Sequence, residues 1–309
     1  MRAIVYRQYG SPDVLEVMDI PQPIPNEHQL LVRVFVSAVN SADARTRSLD
    51  VAQPMRTFMR MIMGWRKPRR PVLGTVFSGV VVQTGASVDS FAVGEEVFGC
   101  TQGLAFGCHA QYVLVNADGP VCRKPKTASH EEAAALVFGG TTSLHFLGKL
   151  HPANYRNILV YGASGAVGSA AVQIAHNLGY AVTASASAGN KEMVLSLGAQ
   201  KFVDYADDGL KYCGETFDVI FDAVGKLDRR QARELLAQKG VYLTVGGMDV
   251  AKETKEQVQQ IASWYEEDKL RAVIDAIYPM ELARIAHQHV DSGHKRGNVI
   301  LMIDSGTTS

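Results

Sequence analysis

The 309-residue sequence has no excess of charge of either sign: 31 lysines and arginines stand against 31 aspartates and glutamates. That balance excludes a net field drawing the chain to nucleic acid or to anionic lipid, so neither partner is expected. Long apolar runs are missing as well. No segment reaches the ~18 uninterrupted apolar residues of a membrane span, and the opening MRAIVYRQYG lacks the apolar stretch of a signal peptide. Cysteine is scarce: Cys100, Cys108, Cys122 and Cys213 lie far apart, with no CxxC pair. This excludes a disulfide scaffold and fits a reducing compartment, so a cytoplasmic location is expected. Repeats and low-complexity linkers are absent too. The length exceeds that of one ordinary domain and suits two.

What is present changes character near residue 127. Before it, RAIVYRQYG, LEVMDIP, QLLVRVFVSAVN, GVVVQTG, EEVFGC and HAQYVLV are short runs rich in Val, Phe and Tyr, separated by Gly, Pro, Asn and Asp. They predict a β-rich region. One stretch interrupts it: in residues 54–74, Met55, Phe58, Met59 and Ile62 fall at helical spacing, with Arg66, Lys67, Arg69 and Arg70 just beyond. A short helix is expected there, either on the rim of a cleft, where Met-rich apolar surface accommodates varied hydrophobic ligands, or, the favoured reading, with its apolar side in the core and its cations solvated. A single four-cation cluster on a neutral chain does not predict a membrane-bound surface.

After residue 127, helix and strand alternate. Ser129, followed by Glu131 and Glu132, marks a helix start. Strands are predicted at about 157–162, 180–185, 201–205, 217–224 and 241–246, with helices at about 166–178, 190–197 and 228–238, a pattern that means a doubly wound parallel sheet. Two further helices and a closing strand, NVILMI, follow residue 250.

The most informative segment is LVYGASGAVGSAAVQIA, residues 159–175. An apolar strand ends at Gly162, and a helix begins at about Ala166. Glycine permits the tight turn and close approach of a pyrophosphate, and the helix start offers free N–H groups. Gly162, Ala163, Ser164, Gly165, Ala166, Val167 and Gly168 are therefore candidate dinucleotide ligands, with Gly168 allowing the helix to pack close. An NAD site normally has an acidic residue about 20 positions after the loop. Here the region reads TASASAGNKEM, with Ser185, Ser187 and Lys191 and no carboxylate before Glu192. Two hydroxyls and an ammonium suit a 2′-phosphate, so NADPH is the expected cofactor.

These motifs resemble the medium-chain dehydrogenase/reductase superfamily, and within it the zinc-free quinone oxidoreductase-like branch. The resemblance runs nearly end to end, through AVNSADAR (38–45), PVLGTVFSGVVVQTG (71–85), VGEEVFG (93–99), HAQYV (109–113), the glycine loop, FDVIFDAVG (217–225) and SGHKRGNVI (292–300). It implies an α/β fold: a GroES-like β-barrel domain of residues 1–126 and 272–309, and a Rossmann domain of residues 127–271. It also implies that Thr141, Thr142, Tyr205, Val224, Gly246, Gly247 and Asn298 lie along the cofactor. Where zinc alcohol dehydrogenases carry a Cys and a Gly-His-Glu, this chain has Asn40 and Gly74-Thr75-Val76. The remaining candidates, Cys108-His109 and the His287/His289 pair, lack close spacing for three or four ligands, and that pair is expected at the surface. No metal site is expected.

Without a Lewis acid, simple alcohol oxidation lacks its main electrophile. A quinone or enone instead spreads the charge of an arriving hydride over a conjugated system, where hydrogen-bond donors suffice. The expected activity is NADPH-dependent reduction of small hydrophobic quinones or α,β-unsaturated carbonyls, with Asn40, Asp43 and Arg45 as candidate catalytic residues. A zinc-type alcohol or aldehyde oxidoreductase and a non-catalytic NADPH-binding protein are the competing readings. One departure stands out: only a few residues separate GVYLTVGG from the next helix, so the sheet should lack the family's sixth strand. Family dimers often form at that edge, and a homodimer of that kind is not expected to carry over.

Overall fold

The computed structural model describes residues 1–50, 55–206, 210 and 213–304. Pro54 and residues 305–309 lie outside these. The N-terminal part supplies β1 (Arg2–Tyr6), β2 (Leu15–Asp19), β3 (Gln29–Val39), α1 (Ser41–Ser48), α2 (Met55–Met63), β4 (Val76–Thr84), β5 (Glu96–Cys100), β6 (Tyr112–Asn116) and β7 (Val121–Arg123). The long β3 is the hub, pairing antiparallel with both β4 and β6. Its side chains are mostly buried along the whole strand rather than alternately, because helices cover the side that would otherwise face water.

The second part begins with α3 (His130–Leu147). Ser129 caps it, accepting from the Glu132 amide while the Glu132 carboxylate returns to the Ser129 N–H. Then follow β8 (Asn157–Tyr161), α4 (Ala166–Asn177), β9 (Ala181–Ala186), α5 (Lys191–Ser196), β10 (Lys201–Asp204), β11 (Phe217–Asp222), α6 (Arg229–Leu235) and β12 (Leu236–Thr244). The five strands form a parallel sheet in the order β10-β9-β8-β11-β12. The order reverses beside β8, which places a crevice at the carboxyl ends of the strands, where such sheets bind ligands. Among the described residues β12 has no further neighbour, so the sixth strand is missing as the short 248–252 connection implied.

The chain closes with α7 (Lys255–Glu266), β13 (Ile274–Pro279), α8 (Ala283–Asp291) and β14 (Asn298–Met302). β14 returns to the first sheet antiparallel to β3, with Val299 opposite Val39, and β13 joins it in parallel. One apolar core runs through α3 and joins the two sheets, with Val36 and Phe98 of the first and Val160 and Phe221 of the second in the same cluster, and a second core fills the inside of the seven-stranded sheet.

Two local expectations need correction. α2 exists, but its described apolar residues are mostly not core: Phe58 is 58% and Ile62 41% exposed, and Met59 is only partly buried, while the side chain of Met55 lies outside the described residues. Helical spacing reports one apolar side, not what lies against it, and among the described side chains of the helix only Met63 at its end is buried. Strand β13 was not anticipated. Its inward positions alternate, but the outward Ile277 and terminal Pro279 disguise the period.

Candidate active site

Asn40 follows directly on β3 and caps α1. Its Oδ1 accepts the N–H groups of Ala42 (2.8 Å) and Asp43 (3.1 Å), and the Asp43 carboxylate accepts the Asn40 N–H (3.0 Å). The cap decides which way the amide points: with Oδ1 committed to the helix, Nδ2 faces away and donates to Thr75 Oγ1 at 2.9 Å. Asn40 is thus a donor with one further N–H free in geometry, held by a two-way cap. Asp43 is fully buried; its second oxygen accepts the Gly74 N–H at 3.0 Å. It therefore fixes the two chain segments that carry Asn40 and Thr75.

Behind this pair lies a polar cluster. His109 Nε2 is 4.0 Å from Asp43, its ring meets His287 edge-on at 5.6 Å, and His287 Nδ1 is 2.8 Å from an Arg47 nitrogen. Arg47, only 1% exposed, also holds the Gly10 carbonyl and Asp291. Burial raises the Asp43 carboxyl to about 7 despite backbone hydrogen bonds and Arg47, and lowers His109 to about 4. The signs oppose. Asp43 binds its proton more tightly folded than unfolded, so its contribution to stability is present at low pH and is lost between about 4 and 7 as pH rises. His109 is held neutral, so its contribution is present above about 6.5 and lost as pH falls towards 4. Asp43→Asn cannot ionise. The wild-type melting temperature, relative to this variant, should therefore be higher at pH 4 than at pH 7.5, by the equivalent of ~2–4 kcal/mol. Thermal melts of both proteins across that range check this, and parallel curves would refute it.

The glycine loop forms the other wall. Gly162 has a φ of 74°, and a Cβ there would lie 2.1 Å from the Val224 side chain. A Cβ on Gly168 would lie 2.1 Å from the Gly162 carbonyl, so helix and loop touch backbone to backbone. Gly165 is different: a Cβ there would meet nothing nearer than 3.8 Å, and its backbone is extended. Opposite the loop, Asp222 gathers the strand ends. Its oxygens accept the N–H groups of Val224, Gly225 and Leu227 and the hydroxyls of Tyr242 and Thr244. Gly225 and Gly246 approach so closely that a Cβ on either would clash with the other's backbone. The first N–H groups of α4 have no intrahelical acceptors. Open space before Gly165, a positive helix end and close-packed glycines together fit a pyrophosphate.

Comparison with known proteins agrees with this geometry. Residues 26–126 match the alcohol dehydrogenase GroES-like domain family, and residues 166–277 the zinc-binding dehydrogenase family. A quinone oxidoreductase of Pongo abelii is 31% identical over 98% of this chain and 98% of its own length. The chain belongs to the medium-chain dehydrogenase/reductase superfamily, among the quinone oxidoreductases. A 2-methylene-furan-3-one reductase of Solanum lycopersicum is 29% identical, over 97% of this chain and 79% of its own. The solved quinone oxidoreductase of Coxiella burnetii superposes with a TM-score of 0.86 at 26% identity, covering 98% of this chain and 99% of that one. The protein is an oxidoreductase by family.

Within this medium-chain dehydrogenase/reductase frame, the sequence-derived candidates divide. The structure brings Gly162–Gly168, Val224 and Gly246 to one crevice. Thr141 and Thr142 lie buried on α3, Thr141 bonded back to the Val137 carbonyl. Lys191 and Tyr205 are exposed beyond the ends of β9 and β10, and Ser187 is half-buried; Gly247 is exposed past β12. Ser185 is fully buried, and it is its main-chain carbonyl that meets the loop, accepting the Gly162 and Ala163 N–H groups. Asn298 is buried and donates to Val273. Arg45 is exposed on α1, whereas Arg47, two residues on, enters the polar cluster. His287, expected at the surface, is buried by that arginine, while His289 pairs with Asp275 at 2.9 Å.

Sequence reasoning missed four residues beside the crevice. Asp222 carried a signal, a carboxylate ending an apolar strand, that is also common at ordinary strand ends. The other three are on the segment before β14. Gly297 donates to the Ser164 carbonyl at 2.7 Å, so this segment runs along the glycine loop, and Lys295 and Arg296 come with it. Burial lowers Lys295 to about 8.

Proposed function

We propose that the protein is an NADPH-dependent reductase of small hydrophobic quinones or α,β-unsaturated carbonyls, acting without a metal. The observation that carries the reading is the Asn40–Thr75 pair: an amide and a hydroxyl, hydrogen-bonded to each other, stand where zinc enzymes of the family place a thiolate and an imidazole. Neutral amide and hydroxyl groups are poor zinc ligands. They are suitable donors to an oxygen that gains charge. Among the described residues, no group of three or more His, Cys, Asp or Glu is placed to hold a metal ion.

When bound, NADPH supplies a hydride to the far carbon of the conjugated system. The chain's part is to position the substrate and stabilise its oxygen. The remaining Asn40 N–H points from a rigid cap, so little reorganisation is required as negative charge grows on that oxygen. Arg45, exposed on α1, adds positive potential nearby. Lys191 and Ser187 beyond β9 favour a phosphorylated ribose, because a phosphate accepts charge-assisted hydrogen bonds that a hydroxyl cannot. Residues 1–126 with 272–309 form the substrate domain in this reading, and 127–271 the cofactor domain. A cytoplasmic setting accords with it, and among the described residues no helix is long and apolar enough to cross a membrane.

The reading is tested by following NADPH oxidation against quinones, enones, aldehydes and alcohols, with NADH in parallel. Turnover of quinones or enones with NADPH preferred is expected. Equal rates with NADH would remove the phosphate argument. Activity confined to alcohols or aldehydes, accompanied by stoichiometric zinc, would overturn the metal-free chemistry, and tight NADPH binding without turnover would make it a binding protein.

A further inference from the structure

We infer that Arg296 is a second cation for the 2′-phosphate, reaching it from the segment between α8 and β14 on the opposite side from Lys191. The inference rests on the NADPH reading above and adds to it a residue from outside the Rossmann sheet.

Three observations converge. The first is position. In a doubly wound sheet the adenosine ribose lies at the carboxyl end of the strand following the glycine-loop helix, here β9. An Arg296 guanidinium nitrogen lies 3.3 Å from the carbonyl of Gly189, midway between Ser187 and Lys191 in the chain. A Cβ on Gly189 would sit 3.6 Å from that same nitrogen. The guanidinium therefore rests on the loop that ends β9.

The second is charge. None of the ion pairs among the described residues uses Lys191 or Arg296. The one carboxylate bonded to Arg296, Asp275, accepts its main-chain N–H at 3.0 Å and stands 2.9 Å from His289 Nε2. Among the described residues the guanidinium itself meets only a neutral carbonyl, at a distance beyond the usual 2.7–3.2 Å. Two cations outside any ion pair, on segments that meet at Gly189, form a place for an anion. A phosphate offers oxygens for a bidentate arginine contact and would displace the weak carbonyl contact; a ribose hydroxyl would not.

The third is anchorage. The Asp275 bond and the bond from Gly297 to Ser164 hold the main chain on both sides of Arg296. The side chain is thus delivered from a fixed point beside the glycine loop. Because this segment continues into β14 of the other sheet, a phosphate held by Lys191 and Arg296 is gripped from both sheets at once. NADPH, but not NADH, would then link them across the crevice.

The test is direct binding, measured by calorimetry with the full chain. The ligands are NADPH and NADH, and the fragments 2′,5′-ADP and 5′-ADP, which separate the phosphate from the nicotinamide. Arg296→Met should weaken NADPH and 2′,5′-ADP at least tenfold, leave NADH and 5′-ADP unchanged, and melt at the wild-type temperature without ligand. Arg296→Lys should recover part of the loss. If Lys191→Met loses NADPH affinity while Arg296→Met keeps it, the inference fails and the NADPH reading stands. Equal wild-type affinity for 2′,5′-ADP and 5′-ADP overturns both. A loss in Arg296→Met that extends equally to NADH and 5′-ADP also overturns it, since the residue would then only support the loop.

Discussion

Gly165→Val should fold and melt like the wild type while losing about 100-fold or more in dinucleotide affinity, a cost of at least ~2.7 kcal/mol. The asymmetry follows from the three glycines of the loop doing different things. At Gly162 and Gly168 a side chain would strike the protein itself, 2.1 Å from Val224 and from the Gly162 carbonyl respectively. Substitution there would damage fold and function together. At Gly165 the backbone angles (φ −78°, ψ 179°) suit any residue, and nothing lies within 3.8 Å of a new Cβ. In the proposed function it is the dinucleotide, pressed against the main chain, that leaves no room for a side chain there. Calorimetry with NADPH and a thermal melt of the same preparation decide it. Unchanged affinity would mean the pyrophosphate does not cross this loop.

Asn40→Asp is expected to cut kcat/KM for an enone or quinone by about 10²–10³ while keeping the cap on α1. Aspartate caps a helix as well as asparagine does, so the bonds to Ala42 and Asp43 survive. What disappears is the Nδ2 donor, replaced by an oxygen that repels the developing oxyanion. Asn40→Ala loses both and should in addition lose about 1 kcal/mol from the missing cap. Steady-state kinetics of the two variants, alongside their melts, separate the donor from the cap. Full activity in Asn40→Asp would remove Asn40 from the chemistry.

The elements legible in the sequence were those with a local cause. The Ser129 cap, the strand–loop–helix around Gly162 and the first four strands of the alternation each depend on neighbours within about 20 residues, and each agrees with the expectation to within two residues. Strand β12 shows the limit: expected at 241–246, it begins at Leu236, pairs with Phe217, and shifts register before Val241. Its first residues are partly polar and read as the end of α6. α2 shows another limit. Its apolar spacing is that of a helix, but Phe58 and Ile62 are exposed, with nothing among the described residues burying them.

The site divides in the same way. The sequence by itself offered a glycine loop that suits a dinucleotide and the lack of an acid after β9, both read from residue type at short spacing, where backbone geometry acts locally. The amide and hydroxyl at the positions of metal ligands came from the family resemblance. Tertiary structure alone decided that the Asn40 amide meets Thr75, that Arg47 rather than Arg45 is buried against His287, and that Ser185 meets the loop through its carbonyl. It also brought Gly297 against Ser164, and with it Arg296 to the end of β9. The contacts of Arg47 with His287, Gly297 with Ser164 and Arg296 with Gly189 join residues more than 100 positions apart, and their partners are chosen by how distant elements pack, which no local pattern encodes.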